Sequence, residues 1–337
     1  MKRDFITIAD RSGKELLQIL DLSKKMKANP NKFAKSLEGK SVALIFEKQS
    51  LRTHVTFEIG IKQLGANTVY LTNADINLGK RESVYDTAKN LERWVDAIVI
   101  RTFAHKNVTD LAQYASACVV NALTDFEHPC QAIGDFLTIQ EHLGSFKGKK
   151  LAWIGDGNNV CHSLMLMAAK VGMDFIAITP AGLQPHYSIV EKAMEIAAIT
   201  NAKIELSCNP LEGVHDADVI YTDVWVSMGQ EADFDTKMKA FAGFQVNAEL
   251  MRNAKTSAVF MHCLPAHRGE EVTDEVMDSP QSIVFDEAEN RLHTQKAILY
   301  TLLKGQDREK LNTSGSRRKL VHLRRATRRN SRAIRKH

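Results

Sequence analysis

Short, almost unbroken apolar runs separated by amphipathic helical patterns constrain this chain more than any other feature. Residues 41–47 read SVALIFE and residues 97–101 read AIVIR. A run this short and evenly apolar suits a strand buried on both faces, as in a parallel sheet. Further strands are expected at Thr68–Leu71 and Cys118–Ala122. Between them, Phe57, Ile61 and Leu64 mark a helix that stops at Gly65. Val84, Ala88, Leu91 and Val95 mark another over Ser83–Trp94, and Val108–Ala115 a third. Asp10 is the expected N-cap of a helix over 11–28. Strands that alternate with helices build parallel sheets with helical layers on their faces.

The pattern runs twice. A helix around Gln131–His142 ends near Gly144, and Gly144-Ser-Phe-Lys-Gly148 reads as a hinge. A second series follows, with strands at Leu151–Ile154, Asp174–Thr179, Lys203–Leu206, Val219–Thr222, Ala258–His262 and Ser282–Phe285. A helix over Asn290–Leu303 is long enough to cross back to the first unit. The expected fold class is α/β, with two domains, each a mostly parallel sheet flanked by helices. Their limits are 1–145 and 150–289, with helix 290–304 joining the first. A length of 337 residues suits two cores better than one.

Composition excludes several classes. The longest apolar runs fall short of the 18 residues or so that a membrane helix needs. The five cysteines, Cys118, Cys130, Cys161, Cys208 and Cys263, are odd in number and widely spaced. They suit neither a disulfide scaffold nor a CxxC metal set, and a reducing cytoplasm fits them best. The formal charge of +5 comes from the tail, because ten Lys or Arg and no acid lie between 317 and 337. Without those ten cations the charge falls to −5. Residues 305–337 are read as a basic, disordered, solvated end or an extension. Nucleic-acid or membrane binding by this tail is the disfavoured reading. Binding of that kind predicts a steep salt dependence and loss of function on truncation.

Candidate chemistry collects just after the strands, where open α/β sheets place ligands. Ser50-Leu51-Arg52-Thr53 follows the first strand and opens a helix. Helix N–H groups, two hydroxyls and an arginine fork suit a phosphate. Plain helix capping by Ser50 beside a solvated arginine fits the same residues, and Lys48 either extends the field or is surface. Arg101 ends a strand. His128-Pro129-Cys130-Gln131 follows another, with donors for a carbonyl oxygen or a simple capping turn. Gly155-Asp-Gly157 is not GxGxxG, so a dinucleotide is weakly supported. Asn159 holds a small polar ligand or caps a turn. Asp223 suits an ammonium group or forms a turn. His262, Cys263 and His267 do not have a structural-zinc spacing, and neither a metal nor a cofactor is expected.

With those residues in view, the chain resembles the ornithine carbamoyltransferases of the aspartate/ornithine carbamoyltransferase family. The resemblance covers roughly residues 3–304. It rests on FEKQSLRTHVTFE at 46–58, HPCQ at 128–131, WIGDGNN at 153–159, DVWVSMG at 223–229, HCLPAHRGEEVTDEV at 262–276 and FDEAENRLHTQKA at 285–297. It implies that Ser50, Leu51, Arg52 and Thr53 hold the phosphate of carbamoyl phosphate. Arg101, His128, Gln131 and Arg291 surround the carbamoyl and phosphate groups. Asn159, Asp223, Ser227 and Met228 bind L-ornithine, and Cys263 and the Leu264 carbonyl stand beside the reacting amine. Arg52, Arg101, His128 and Cys263 are its implied catalytic residues. Asn77, in the loop NADINLGKRES, is implied to reach a neighbouring subunit's site, hence a homotrimer or a trimer-based dodecamer. The family motif Ser-Thr-Arg-Thr-Arg reads Ser50-Leu51-Arg52-Thr53-His54 here. His54 is therefore expected to make phosphate affinity weaker or more sensitive to pH.

Overall fold

The computed structural model describes residues 4–304 apart from 228, 230, 231 and 233. The first sheet holds β1 (Ser41–Phe46), β2 (Asn67–Thr72), β3 (Ala97–Arg101) and β4 (Cys118–Leu123) in the order β2-β1-β3-β4. The second holds β5 (Lys150–Ile154), β6 (Asp174–Ile178), β7 (Ile204–Ser207), β8 (Val219–Thr222) and β9 (Val259–His262) in the order β7-β6-β5-β8-β9. Every neighbouring pair is parallel. The α/β class with two flanked parallel sheets is therefore as expected.

Strand order fixes where ligands can sit. In the first sheet the chain goes from β1 outward to β2 and then returns to the other side of β1 as β3. In the second, β8 lies on the opposite side of β5 from β6 and β7. Loops leaving β1 and β3, or β5 and β8, diverge and open a crevice at the strand ends. Both crevices carry candidate residues.

The core explains how the two sheets are held together. One cluster runs from Phe5, Leu16 and Val42 through Ile133 and Phe136 to Trp153, Leu164, Met165 and Ile298. It joins the facing sides of both sheets through the helices Gly13–Ala28, Pro129–Leu143 and Asn159–Val171. Separate clusters cover the far face of each sheet, around Ile45 and Ile98 in the first and Ile154 and Phe260 in the second. Helix packing at the centre is close. A methyl added at Gly13 would sit 2.3 Å from the Lys170 carbonyl oxygen.

Two element expectations need correction. The first helix is Gly13–Ala28, not 11–28, and its N-cap is Ser12 rather than Asp10. Ser12 and Glu15 close a capping box, which satisfies two N–H groups reciprocally. Ser282–Phe285 is not a strand. Ser282 makes a single bridge to Phe260, and a helix runs over 284–304. Its first turn buries Val284 and leaves Phe285 exposed. A short apolar run does not by itself separate strand from helix. Residues 305–337, and with them the basic tail, lie outside the described residues.

Candidate active site

A cleft of about 720 Å³ opens between the strand ends of the two sheets. Its walls include Ser50, Leu51, Arg52, Thr53, Arg101, His128, Gln131 and Arg291 from the first sheet and the C-terminal helix. Facing them are Asn158, Asn159, Asp223, Ser227, Cys263 and Leu264. The structure thus brings together all the sequence-derived site residues except two. Asn77 lies outside this cleft, half-buried in left-handed backbone at the end of a short helix. Met228 lies outside the described residues.

The first wall is an anion cradle. Ser50 caps the helix Leu51–Gln63 by accepting from the Thr53 N–H at 3.2 Å. Leu51 and Arg52, in the first turn, carry N–H groups that a helix leaves without internal acceptors. Arg52 lines the cleft beside them. Arg101 ends β3 where its register with β4 shifts, since Ile100 pairs with Asn121 but Arg101 with Leu123. Such a bulge re-aims a side chain. Arg291 reaches across from the C-terminal helix to the Gln131 carbonyl oxygen and to Thr53 Oγ1 at 3.0 Å.

Three guanidinium groups in one buried wall repel one another. Burial, then Arg291 and Arg52, lower the Arg101 pKa to about 10, so it stays charged at neutral pH. Arg52 is also lowered, chiefly by burial. His128 is pushed well below the ordinary histidine range by burial and by all three arginines. It is therefore a neutral imidazole with one N–H to donate. Its buried Nδ1 has no hydrogen-bond partner among the described residues. A cradle with this surplus of positive charge is completed by an anion.

The opposing wall is polar and already ordered. Asp223 leaves β8 and accepts from the Asn158 amide at 2.9 Å and the Val224 N–H at 2.8 Å. The Cys263 thiol donates to Asp223 at 3.1 Å. Burial and the Asp223 carboxylate raise the Cys263 pKa far above normal, so the sulfur is a thiol and not a nucleophilic thiolate. Asn159 donates to the Thr124 carbonyl at 2.6 Å, which ties the two walls together. Leu264 has positive φ and a cis bond to Pro265.

Metal-binding capacity exists in part. Donor atoms of Asp223, His262 and Cys263 lie within 4.8 Å of one another, a convergence not legible from spacing. The His262 ring is occupied by hydrogen bonds to Glu271 and from the Leu264 N–H, both at 2.9 Å.

His54 stands apart from the cleft. Two residues beyond Arg52 on the helix, it points about 200° round the axis. Its ring stacks on Tyr70 at 3.9 Å, and Nε2 lies 3.2 Å from Glu58. The expected influence of His54 on phosphate would have to act from outside this lining. Of the two sequence readings of Lys48, a cation extending the positive field or a surface residue, the cleft lining favours the first, while Asp156 and Glu127 were passed over. Lys48 is buried, pairs with Asp125 and sits 4.2 Å over the Phe103 ring. Asp156 pairs with Lys237. Glu127, buried, accepts from Thr7 and the Ile8 N–H and so anchors the loop before His128. Their partners are too distant in sequence to be read.

Two parallel α/β units that meet at one cleft, with a cationic cradle facing a carboxylate wall, define a two-substrate enzyme that takes an anionic group on one side. The aspartate/ornithine carbamoyltransferase carbamoyl-P binding domain matches residues 3–141, and the Asp/Orn binding domain of the same family matches residues 147–302. The chain is 50% identical over 305 residues to an ornithine carbamoyltransferase of Pyrococcus horikoshii, covering 90% of this chain and 96% of that one. Among solved structures it is similar to the ornithine carbamoyltransferase of Pyrococcus furiosus, with TM-score 0.87, 48% identity and coverage of 90% and 97%. The anabolic ornithine carbamoyltransferase of Campylobacter jejuni aligns with TM-score 0.86 and 38% identity over 91% of this chain and 100% of that one. The chain belongs to the aspartate/ornithine carbamoyltransferase family.

Proposed function

We propose that the chain is an ornithine carbamoyltransferase, acting in arginine metabolism, that converts carbamoyl phosphate and L-ornithine into L-citrulline and phosphate. The observation that carries this reading is the meeting, in one cleft, of three guanidinium groups and a neutral imidazole with the Asp223 wall. Arg52, Ser50, Thr53 and the helix N–H groups, Leu51 included, hold the phosphate. Arg101 and His128 donate to the carbamoyl oxygen as charge grows on it in the tetrahedral transition state. Gln131 and Arg291 orient the carbamoyl group.

The neutral δ-amine attacks the carbamoyl carbon. The new C–N bond forms, the carbon–oxygen bond to phosphate breaks, and the departing phosphate takes the amine proton. Asn159 and the Met228 N–H receive the α-carboxylate, while Asp223 and Ser227 orient amino groups. The Leu264 carbonyl and the Cys263 thiol stand beside the reacting amine. These donors and charges address both substrates through the protein's own side chains.

Residues 1–145 form the carbamoyl phosphate domain, joined by residues 290–304 of the C-terminal helix, and 150–289 the ornithine domain. The active assembly is a homotrimer in which Asn77 completes a neighbour's site. Leu51, Val55 and Ile59 support this, since they line one exposed face of the helix beside edge strand β2 with its exposed Val69 and Tyr70. Five free cysteines support a cytoplasmic setting.

The test is citrulline formation by the purified protein, with putrescine and N-acetylornithine as competing acceptors. Absence of transfer to ornithine would defeat the reading. An Arg52→Ala variant with unchanged kcat/KM for carbamoyl phosphate would defeat the cradle assignment.

A further inference from the structure

Behind Gln131 lie two acids that the transfer chemistry above does not use. Asp135 and Glu287 are both buried, at 0% and 1% exposure. Asp135 comes from the helix Pro129–Leu143 and Glu287 from the C-terminal helix. Both accept from the Gln131 amide nitrogen, at 2.7 Å and 3.1 Å. The Tyr221 hydroxyl of β8 also lies within hydrogen-bond distance of both, 3.2 Å from Asp135 and 3.0 Å from Glu287, and its single proton serves one of them at a time. The second oxygen of Glu287 accepts from the His262 N–H at 3.0 Å. Sharing both the Gln131 nitrogen and the Tyr221 hydroxyl brings the two carboxyl groups side by side.

Two carboxylates in contact and out of water do not both ionise, and they hold a proton between them. The charged and titratable groups that act on the pair are Arg291, Arg52, Tyr221 and Cys263, with Asp223 acting on the last two. Burial raises both acids, Asp135 to about 7 and Glu287 well above the carboxylate range, which agrees with one retained proton.

The amide of Gln131 has a fixed inventory of two N–H donors and an oxygen with two lone pairs. Both donors are taken by the acids, and one lone pair is taken by Arg291. What remains is one acceptor site, on a residue that lines the cleft. Turning the amide over would set its oxygen against the acid pair and its NH2 against a guanidinium, so the orientation is set by the network.

We propose that Asp135 and Glu287 are positioning residues whose shared-proton pair clamps the Gln131 amide, leaving only a carbonyl acceptor for the transferred group. That acceptor selects a group bearing N–H. A carbamoyl group satisfies it, whereas an acetyl group of the same shape presents a methyl and leaves it unpaired. The selection rests on the carbamoyl-transfer reading.

The experiment compares Glu287→Gln and Asp135→Asn with wild type, and Tyr221→Phe serves as a milder variant if either fails to fold. Acetyl phosphate is titrated as a competitive inhibitor, and its Ki is divided by the KM for carbamoyl phosphate. Loosening the clamp is expected to lower that ratio about tenfold, the weight of one buried hydrogen bond. A general loss of structure moves both constants together, so an unchanged ratio in the folded variants would overturn the proposal. The shared proton is read separately, by infrared spectroscopy of the unliganded wild type at pH 7. A protonated-carboxyl band should be present and should lose intensity in both acid variants. A band of equal intensity in all three proteins would also overturn it. Because this readout needs no turnover, a wild type that makes no citrulline would sink the functional reading without deciding the clamp.

Discussion

Gly134 offers a sharp test of how rigidly the anion cradle is held. It sits inside the helix Pro129–Leu143, where alanine is favoured over glycine by about 1 kcal/mol. By local propensity alone, Gly134→Ala stabilises. The structure reverses that expectation. An added Cβ would lie 2.8 Å from Arg291 Cδ, 3.6 Å from Cγ and 3.7 Å from Cα. Carbon atoms pack favourably at about 3.5–4.0 Å, so the first contact is too short by about 0.7 Å. A free side chain would swing aside, but the guanidinium of Arg291 is tied to Gln131 and Thr53. Overpacking of this kind costs about 1–3 kcal/mol, which exceeds the helix gain. The net expectation is a loss of about 1 kcal/mol in urea unfolding. The activity effect is larger, because a reacting group displaced by about 1 Å costs on the order of a hundredfold. We expect kcat/KM for carbamoyl phosphate to fall about 10- to 100-fold. Gly60→Ala is the internal control. Its added Cβ would meet Lys296 Cγ at 3.0 Å and Leu292 Cδ1 at 3.4 Å, on the same C-terminal helix. The Lys296 ammonium bonds to Gln63 at 2.8 Å and serves no site residue. Gly60→Ala should keep full activity and lose little or no stability. If Gly134→Ala were as active as wild type and more stable, Arg291 would not be the fixed strut described above.

Arg101→Ala should keep the fold and lower kcat by about 10²–10³-fold, since it deletes one donor aimed at developing oxygen charge; steady-state rates at saturating carbamoyl phosphate check this. Glu127 is raised to about 7 by burial, against an ordinary 4.5. A raised folded-state pKa means stability that is full below about pH 4.5 and lost as pH climbs through 7. Wild type should thus lose on the order of 3 kcal/mol relative to Glu127→Gln between pH 4.5 and 8, measured by urea midpoints across that range; parallel curves would refute the burial argument. Cys263 should resist iodoacetamide at pH 8 while the exposed Cys208 reacts, as peptide mapping of the alkylated protein would show. Rapid Cys263 labelling would mean that its thiol is not held by Asp223.

Much of this protein is written in local order along the chain. Apolar runs such as SVALIFE and AIVIR became β1 and β3 because a strand buried on both faces requires nothing beyond neighbouring residues. Ser50-Leu-Arg-Thr53 became a helix start for an equally local reason, a hydroxyl capping an N–H three residues on. Ser282–Phe285 marks the limit of that reasoning, since four apolar-rich residues fit either periodicity and the fold made the last two of them helix. The tertiary structure alone decided which polar groups meet. Gln131 and Glu287 are 156 residues apart, and Thr53 and Arg291 are 238 apart. Hydrophobic period tells which face of an element is buried, not which partner it meets there. For the same reason, the pair that orients Gln131 and the bulge that aims Arg101 have no local signature. They arise where separately encoded elements converge, and the low dielectric at that convergence sets the charge of each group.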